Sequence, residues 1–365
     1  MNGYDDDVRQ CFSECTSIDT TDKAWLQAQL SLSRGGLGLR FLSHHSSAAY
    51  IASLSAAGRV FTDDRHLNHS IQHYNAILST SDTISAIDIT DSVHGQRVLS
   101  SKLEDHQFME LYNSVSMPDK ARLQSISSPH ASAWLSVIPS PGSQSHLEPN
   151  EFQIALKWWL GIDVSEGSTC VYCPSHSLDH LGHHSLTCKH GGDVVTRHNR
   201  LRDVLVEHCR LAHVACQVEM GSGWGPEKSR TRPADVLIPN WSLGKSAALD
   251  LTVTSPLNAE IISEASVTAG SAAYAAEQRK HIANDPKCSE LSWVCVPLAV
   301  ELYGCWGLEA RQTLSRLGSR LACQLRCSKS QAITRLYGNL SITLVRANAR
   351  ALLARCTGCN DDFLE

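Results

Sequence analysis

Three cysteines and four histidines crowd into the nineteen residues from Cys170 to Cys188. Cys170-Val171-Tyr172-Cys173 spaces two thiols by two residues, so both sulfurs can reach one ion from a tight turn. Cys188 follows fifteen residues after Cys173, and His176, His180, His183 and His184 lie between them. Tetrahedral zinc takes four soft or borderline ligands. Cys170, Cys173, His184 and Cys188 would supply them, with His183 as the alternative to His184. With all four positions filled by protein, such a site is structural. The competing explanation is a few core cysteines beside solvated histidines.

A second group is built from oxygen. Asp235 stands at the start of the apolar run Val236-Leu237-Ile238, and Asp250 stands fifteen residues on, between Leu249 and Leu251. A carboxylate inside an apolar strand is costly unless something compensates its charge. If the two strands form a hairpin, Asp235 and Asp250 can converge on one Mg²⁺. That ion takes hard oxygen ligands and keeps sites for water and a substrate phosphate. Glu219 is a candidate third acid. Hydrolysis of a phosphodiester also needs a cation at the charge that develops. Lys280 is the first candidate for it and Lys245 the second. The plainer alternative pairs Asp235 with Arg230 or Arg232 and makes Asp250 a turn cap.

These groups must be positioned by nearby elements. The pattern predicts helices at 20–34 and 48–57, and further helices at 101–114 and 118–127. A loosely packed polar stretch covers 62–100, and a linker is expected at 139–143. Beyond it come a helix from Pro149 to Gly161 and the Cys/His cluster, then a helix over 193–211. Strands follow at 214–219, 234–239 and 247–254, then an Ala-rich helix at 258–282 and a strand at 291–300. A helical C-terminal stretch over 308–353 breaks near 327–330 and Gly338. Helix–strand–strand–strand–helix–strand predicts a compact α/β (α+β) unit at about 191–305. The expected divisions are 1–60, 61–145, 146–190, 191–305 and 306–365.

Composition narrows the class. The chain has 365 residues, 42% of them hydrophobic, and no run of 18 apolar residues to span a membrane. Its acidic start lacks a secretory pattern, so an intracellular location is expected, and the 14 cysteines are not read as a disulfide framework. The net charge of −5 argues against a uniform nucleic-acid coat, yet nine Lys/Arg against one acid lie between Glu309 and Arg355. Arg197, His198, Arg200 and Arg232 are further candidates for phosphate contact. Trp158 and Trp159 are candidates for core packing or base stacking.

Together these segments resemble the C-terminal region of non-LTR retrotransposons that carry a CCHC zinc knuckle and a restriction-like endonuclease of the PD-(D/E)XK superfamily. Four stretches carry the likeness. Trp25 to Tyr50, with its glycine-rich turn at 35–39, resembles the segment after the polymerase palm. Cys170 to Cys188 resembles the knuckle, and Arg197-His198-Asn199 the helix after it. Arg232-Pro233-Ala234-Asp235 and the stretch from Ala248 to Pro256 resemble the metal-binding strands. The resemblance implies a restriction-endonuclease-like core sheet flanked by helices. It also implies Mg²⁺ ligands at Asp235 and Asp250, with Lys280 as a catalytic lysine moved from strand to helix, because Thr252 stands where the superfamily has lysine. The implied activity is nicking of target DNA in a nuclear setting, with DNA and element RNA as partners. An inactive nucleic-acid-binding or interaction remnant is the alternative. No polymerase is implied: Tyr4-Asp5-Asp6-Asp7 and Phe61-Thr62-Asp63-Asp64 lack apolar strand flanks on both sides. On this view the chain is a fragment of a longer element or a domesticated remnant of one.

Overall fold

The computed structural model describes residues 2–57, 64–78, 82–91, 95–142, 145–165, 167, 169–218, 234–242 and 244–355. The predicted Glu219 and Arg232 lie outside these residues. The chain divides into two compact units, 1–116 and 117–365. Among the described residues no helix is long and apolar enough to cross a membrane.

The first unit is helical: α1 (Asn2–Thr16), α2 (Asp22–Gln29), α3 (Leu42–Ala57), α4 (Arg65–Asn75), α5 (Ala86–Asp91) and α6 (Gln96–Ser114). Thr21 caps α2 by accepting the Ala24 N–H at 3.2 Å. The stretch expected to be loosely packed contains α4, α5 and the start of α6. Leu67, Ile71, Tyr74, Ile89 and Leu99 are buried there, against Ile51 of α3. Their spacing was diluted by Ser, His and Asp, and the apolar positions pair only across helices. Asp5, one of the palm-like acids, sits in helix α1 and accepts the Leu42 N–H at 2.8 Å.

The second unit holds α7 (Met117–Ile126), α8 (Pro149–Trp159), α9 (His183–Thr187) and α10 (Asp193–Leu211). Strands β1 (Gln217–Val218), β2 (Val236–Ser242) and β3 (Lys245–Thr254) follow, then α11 (Ile262–Ala265) and α12 (Ser271–Glu290). Strand β4 (Trp293–Glu301), α13 (Leu308–Leu325) and α14 (Lys329–Leu353) complete it. The sheet runs β1-β2-β3-β4, with β1–β2 and β2–β3 antiparallel and β3–β4 parallel. The unit is thus mixed α/β, with a small four-stranded sheet. One sheet face buries Leu249, Leu251, Leu298 and Val300 against Leu201 and Leu205 of α10 and the leucines of α13 and α14. The other packs on α12 through Ala248, Ala299, Ala273 and Ala276.

Three expectations change. The linker at 139–143 is not a unit boundary: Trp134 is buried, its N–H reaches Ser341 Oγ in α14 at 3.2 Å, and its ring meets Trp159 edge-on at 5.8 Å. The basic C-terminal stretch is not a separate segment, because Leu314, Leu317, Leu336 and Leu344 complete the sheet's core. The helix predicted at 258–282 is split. Gly270 takes a left-handed φ of +83°, and buried Glu301 caps α12 by accepting the N–H groups of Ala272 and Ala273. Helix α12 then runs past Pro286 to Glu290, held by the buried Asn284 and Cys288.

Candidate functional site

The Cys/His cluster closes as a compact loop before α10. The Cys170 N–H bonds the His176 carbonyl at 2.9 Å, and the His176 N–H bonds the Cys173 carbonyl at 3.2 Å, which fixes the turn between the first two thiols. Asp179 accepts the N–H groups of both His183 and His184 at 2.8 Å and so starts α9. Adjacent side chains on this short helix then diverge. His184 Nε2 lies 3.0 Å from Cys173 Sγ, whereas His183 Nδ1 meets the hydroxyl of buried Ser255 at 2.9 Å. His184, not His183, therefore belongs with the cysteines. The ligand atoms of Cys170, Cys173, His184 and Cys188 all lie within 4.8 Å of one another, and the four could bind a metal ion such as zinc.

Two thiols of the cluster are shifted in opposite directions. Burial disfavours the Cys170 thiolate, but the N–H groups of Cys173 and Tyr172 and the His184 ring outweigh it and hold the thiol down at about 6. Burial, with Cys188 and Cys170 crowded alongside, pushes Cys173 up to about 12. A divalent ion would relieve this crowding of sulfurs. The loop is anchored to its unit by Trp158 Nε1–H donating to the Leu181 carbonyl at 3.0 Å and by Arg197 donating to the Leu186 carbonyl at 2.9 Å.

The acidic group forms where β2 begins, at the middle of β3 and on α12. The Asp235 N–H bonds the Leu249 carbonyl at 2.9 Å, and its carboxylate accepts the Leu251 N–H at 2.7 Å, which ties it to β3 across the hairpin. His198 of α10 places Nε2 3.1 Å from Asp235 Oδ2 and 3.1 Å from the Leu251 carbonyl. Both are acceptors, so that nitrogen carries a proton. The bond to Asp235 raises the pKa of His198 against the opposing effect of burial. Burial pushes Asp235 up in turn, but the His198 bond and charge outweigh it and leave the carboxyl below its usual value.

Asp250 has only 10% of its side chain exposed and lies on the sheet face toward α12. Lys280 Nζ donates to its Oδ1 at 2.9 Å, and Asn284 Nδ2 donates to its Oδ2 at 2.6 Å. Burial still raises its pKa above the usual value, with Lys280 opposing and the negative charge of Asp235 adding to the rise. Asp235 therefore acts on Asp250, and Lys280 acts on both. Two residues along the same face, Thr252 Oγ1 is buried with no hydrogen-bond partner among the described residues.

The structure thus joins His198 to Asp235 and joins Lys280 and Asn284 to Asp250, with Asp235, His198 and Lys280 all acting on the charge of Asp250. Lys245, the second lysine candidate, is exposed at the first position of β3. Arg197 is corrected: it is buried at 2% exposure and donates to Asn348 Oδ1 at 3.1 Å, so it is an internal tie and not a phosphate contact. Arg200 is half-buried and lines a cleft of about 560 Å³ with Arg346, Arg350, Glu148 and Asp203. Of the basic run, Arg355 is wholly buried and donates to Asp193 at 2.7 Å, while Arg350 is paired with Glu151. Trp158 and Trp159 are both 1% exposed, which closes the base-stacking option. Asn284 was missed from sequence. Its position one helical turn after Lys280 was the available signal. No protein-family model and no curated protein matches the sequence.

Proposed function

We propose that this chain is a Mg²⁺-dependent DNA endonuclease of the restriction-like kind found in non-LTR retrotransposons, and that it nicks DNA at the Asp235–Asp250 pair. The observation that carries the reading is Asp250. It is a nearly buried strand carboxylate whose Oδ1 is met at 2.9 Å by an ammonium from a separate helix, with Asp235 close enough to raise its pKa. This is the arrangement that the resemblance implies for a lysine displaced from strand to helix. The run of α10, β1, β2, β3, α12 and β4 in one mixed sheet also agrees with it.

The residues fit a hard divalent cation. Asp235 and Asp250 offer hard oxygen ligands, with Asp235 within electrostatic reach of Asp250, and Thr252 on the same sheet face as Asp250 keeps an unsatisfied hydroxyl. When bound by Asp235 and Asp250, Mg²⁺ would supply charge neutralisation at the scissile phosphate and an acidified water. Lys280 orients Asp250 and presents a positive charge to the phosphoryl oxygens. Asn284 holds the second oxygen of Asp250 so that the carboxylate cannot rotate away. His198 holds Asp235 by donating a hydrogen bond from Nε2–H.

A second reading, a nucleic-acid-binding remnant without catalysis, is favoured by one fact. Each carboxylate is already satisfied by its own partners, His198 and Leu251 N–H on one side, Lys280 and Asn284 on the other. Incubation of the chain with supercoiled plasmid and Mg²⁺ separates the two. The nuclease reading expects open-circle product that EDTA abolishes. Tight, salt-sensitive plasmid binding with no nick over hours, at any Mg²⁺ or Mn²⁺ concentration, would establish the remnant instead.

A further inference from the structure

Helix α12 carries a second set of ligand-type side chains on the turns that alternate with Lys280 and Asn284. His281 and Asp285 stand one turn apart, and Cys295 reaches them from β4. A ring nitrogen of His281, a carboxylate oxygen of Asp285 and Cys295 Sγ all lie within 4.8 Å of one another. The imidazole is held at both ends: Nδ1 faces Asp285 Oδ1 at 2.9 Å and Nε2 faces Glu309 Oε1 of α13 at 2.6 Å. A histidine fixed by a carboxylate at one nitrogen, with the other turned toward a carboxylate and a thiol, has the support that metal-bound histidines use. Cys295 is 5% exposed and packs against Cys288, which is 1% exposed. None of these residues belongs to the Cys170–Cys188 cluster or to the Asp235–Asp250 pair.

We propose that His281, Asp285 and Cys295 form a further divalent-metal site that takes a zinc-class ion, with Glu309 orienting His281. The ligand set decides the class. One nitrogen, one oxygen and one sulfur suit a borderline ion, whereas Mg²⁺ rejects thiolate. Three protein ligands leave a fourth position for water or for the neighbouring Cys288 sulfur. Binding would pin α12 to β4 and α13. Lys280 and Asn284 lie on the same helix, so the ion would also steady the two groups that grip Asp250. The site does not depend on the nuclease reading, since its readout is metal content.

The test uses the full chain with Cys356 and Cys359 changed to serine, so that this additional thiol pair does not bind. Protein is saturated with zinc, dialysed and assayed for metal by mass spectrometry. Asp285→Asn and His281→Gln replace partly exposed side chains, and circular dichroism checks that both fold. The expected result is one zinc equivalent fewer in each variant than in the parent, and a zinc affinity 10- to 100-fold weaker in Glu309→Gln. Zinc content equal to the parent in either variant overturns the site and leaves His281 as a histidine clamped between two acids.

Discussion

The Cys170–Cys188 cluster and the Asp235–Asp250 pair are both candidate metal centres in one unit, and they are built on opposite plans. The first takes all its ligands from nineteen consecutive residues, and a turn and one short helix set its geometry. The second draws its carboxylates from two strands and its ammonium and amide from a helix some thirty residues on, with a histidine from an earlier helix. The first holds three sulfurs and a ring nitrogen within 4.8 Å of one another and could bind a metal ion such as zinc. In the second, each acid already has hydrogen-bond donors from the protein, and under the proposed function an ion there would serve chemistry. A centre closed by protein on all sides stabilises, whereas one that keeps open positions can turn over a substrate.

That contrast can be broken at several points. The largest expected effect is on nicking: Asp235→Ala or Asp250→Ala should lower the rate by about 10³-fold or more while plasmid binding in gel-shift assays stays within a few-fold. An equal loss of binding would make the acids structural. Next in size is the response to metal removal. Chelation of the cysteine cluster, or Cys173→Ser, should lower the thermal midpoint by ten degrees or more, on the order of several kcal/mol, and zinc but not Mg²⁺ should restore it. Asp250→Asn should leave that midpoint far less affected. Lys280→Ala should slow nicking about 10²-fold. Because the ammonium opposes the upward shift of Asp250, its loss should also move the acid limb of the rate profile to higher pH.

The smallest effect concerns the His198–Asp235 pair. The folded pKa of Asp235 is depressed from 3.8, so its contribution is present above that value and is lost as pH falls through the lower folded pKa. The folded pKa of His198 is raised from 6.5, so its contribution is complete below that value and is lost as pH rises through the higher folded pKa. Both conditions hold between 3.8 and 6.5, where the pair should stabilise most. With 28% and 23% of the side chains exposed, the contribution should be about 1 kcal/mol or less. Urea titrations of His198→Gln across this range should show a flatter profile than the parent.

The two regions also differ in how far sequence revealed them. The cysteine cluster was visible because its ligands are close in the chain. Only the choice between His183 and His184 needed coordinates, because adjacent helix positions diverge by about 100°. Helix α10 appeared with its ends in place because its apolar spacing is regular. The hairpin was visible from its apolar strands, with Asp235 at the start of one and Asp250 inside the other. Partners set by tertiary packing were not. Asn284 was signalled only by its place one helical turn after Lys280, and its bond to Asp250 follows from α12 lying over β3. Arg197 looked like a surface cation because nothing in its neighbours announces Asn348, 151 residues away. The small-residue run at 258–282 likewise hid the break at Gly270, which depends on Glu301 of the next strand.

The claim on which the rest turns is that Asp235 and Asp250 hold a single divalent ion between them. Titration of the chain with Mn²⁺, followed by the loss of the free-ion electron paramagnetic signal, measures this directly. The account predicts a site displaced by Mg²⁺ that disappears equally in Asp235→Asn and in Asp250→Asn. Two sites, each lost in only one variant, or a site indifferent to both, would contradict it.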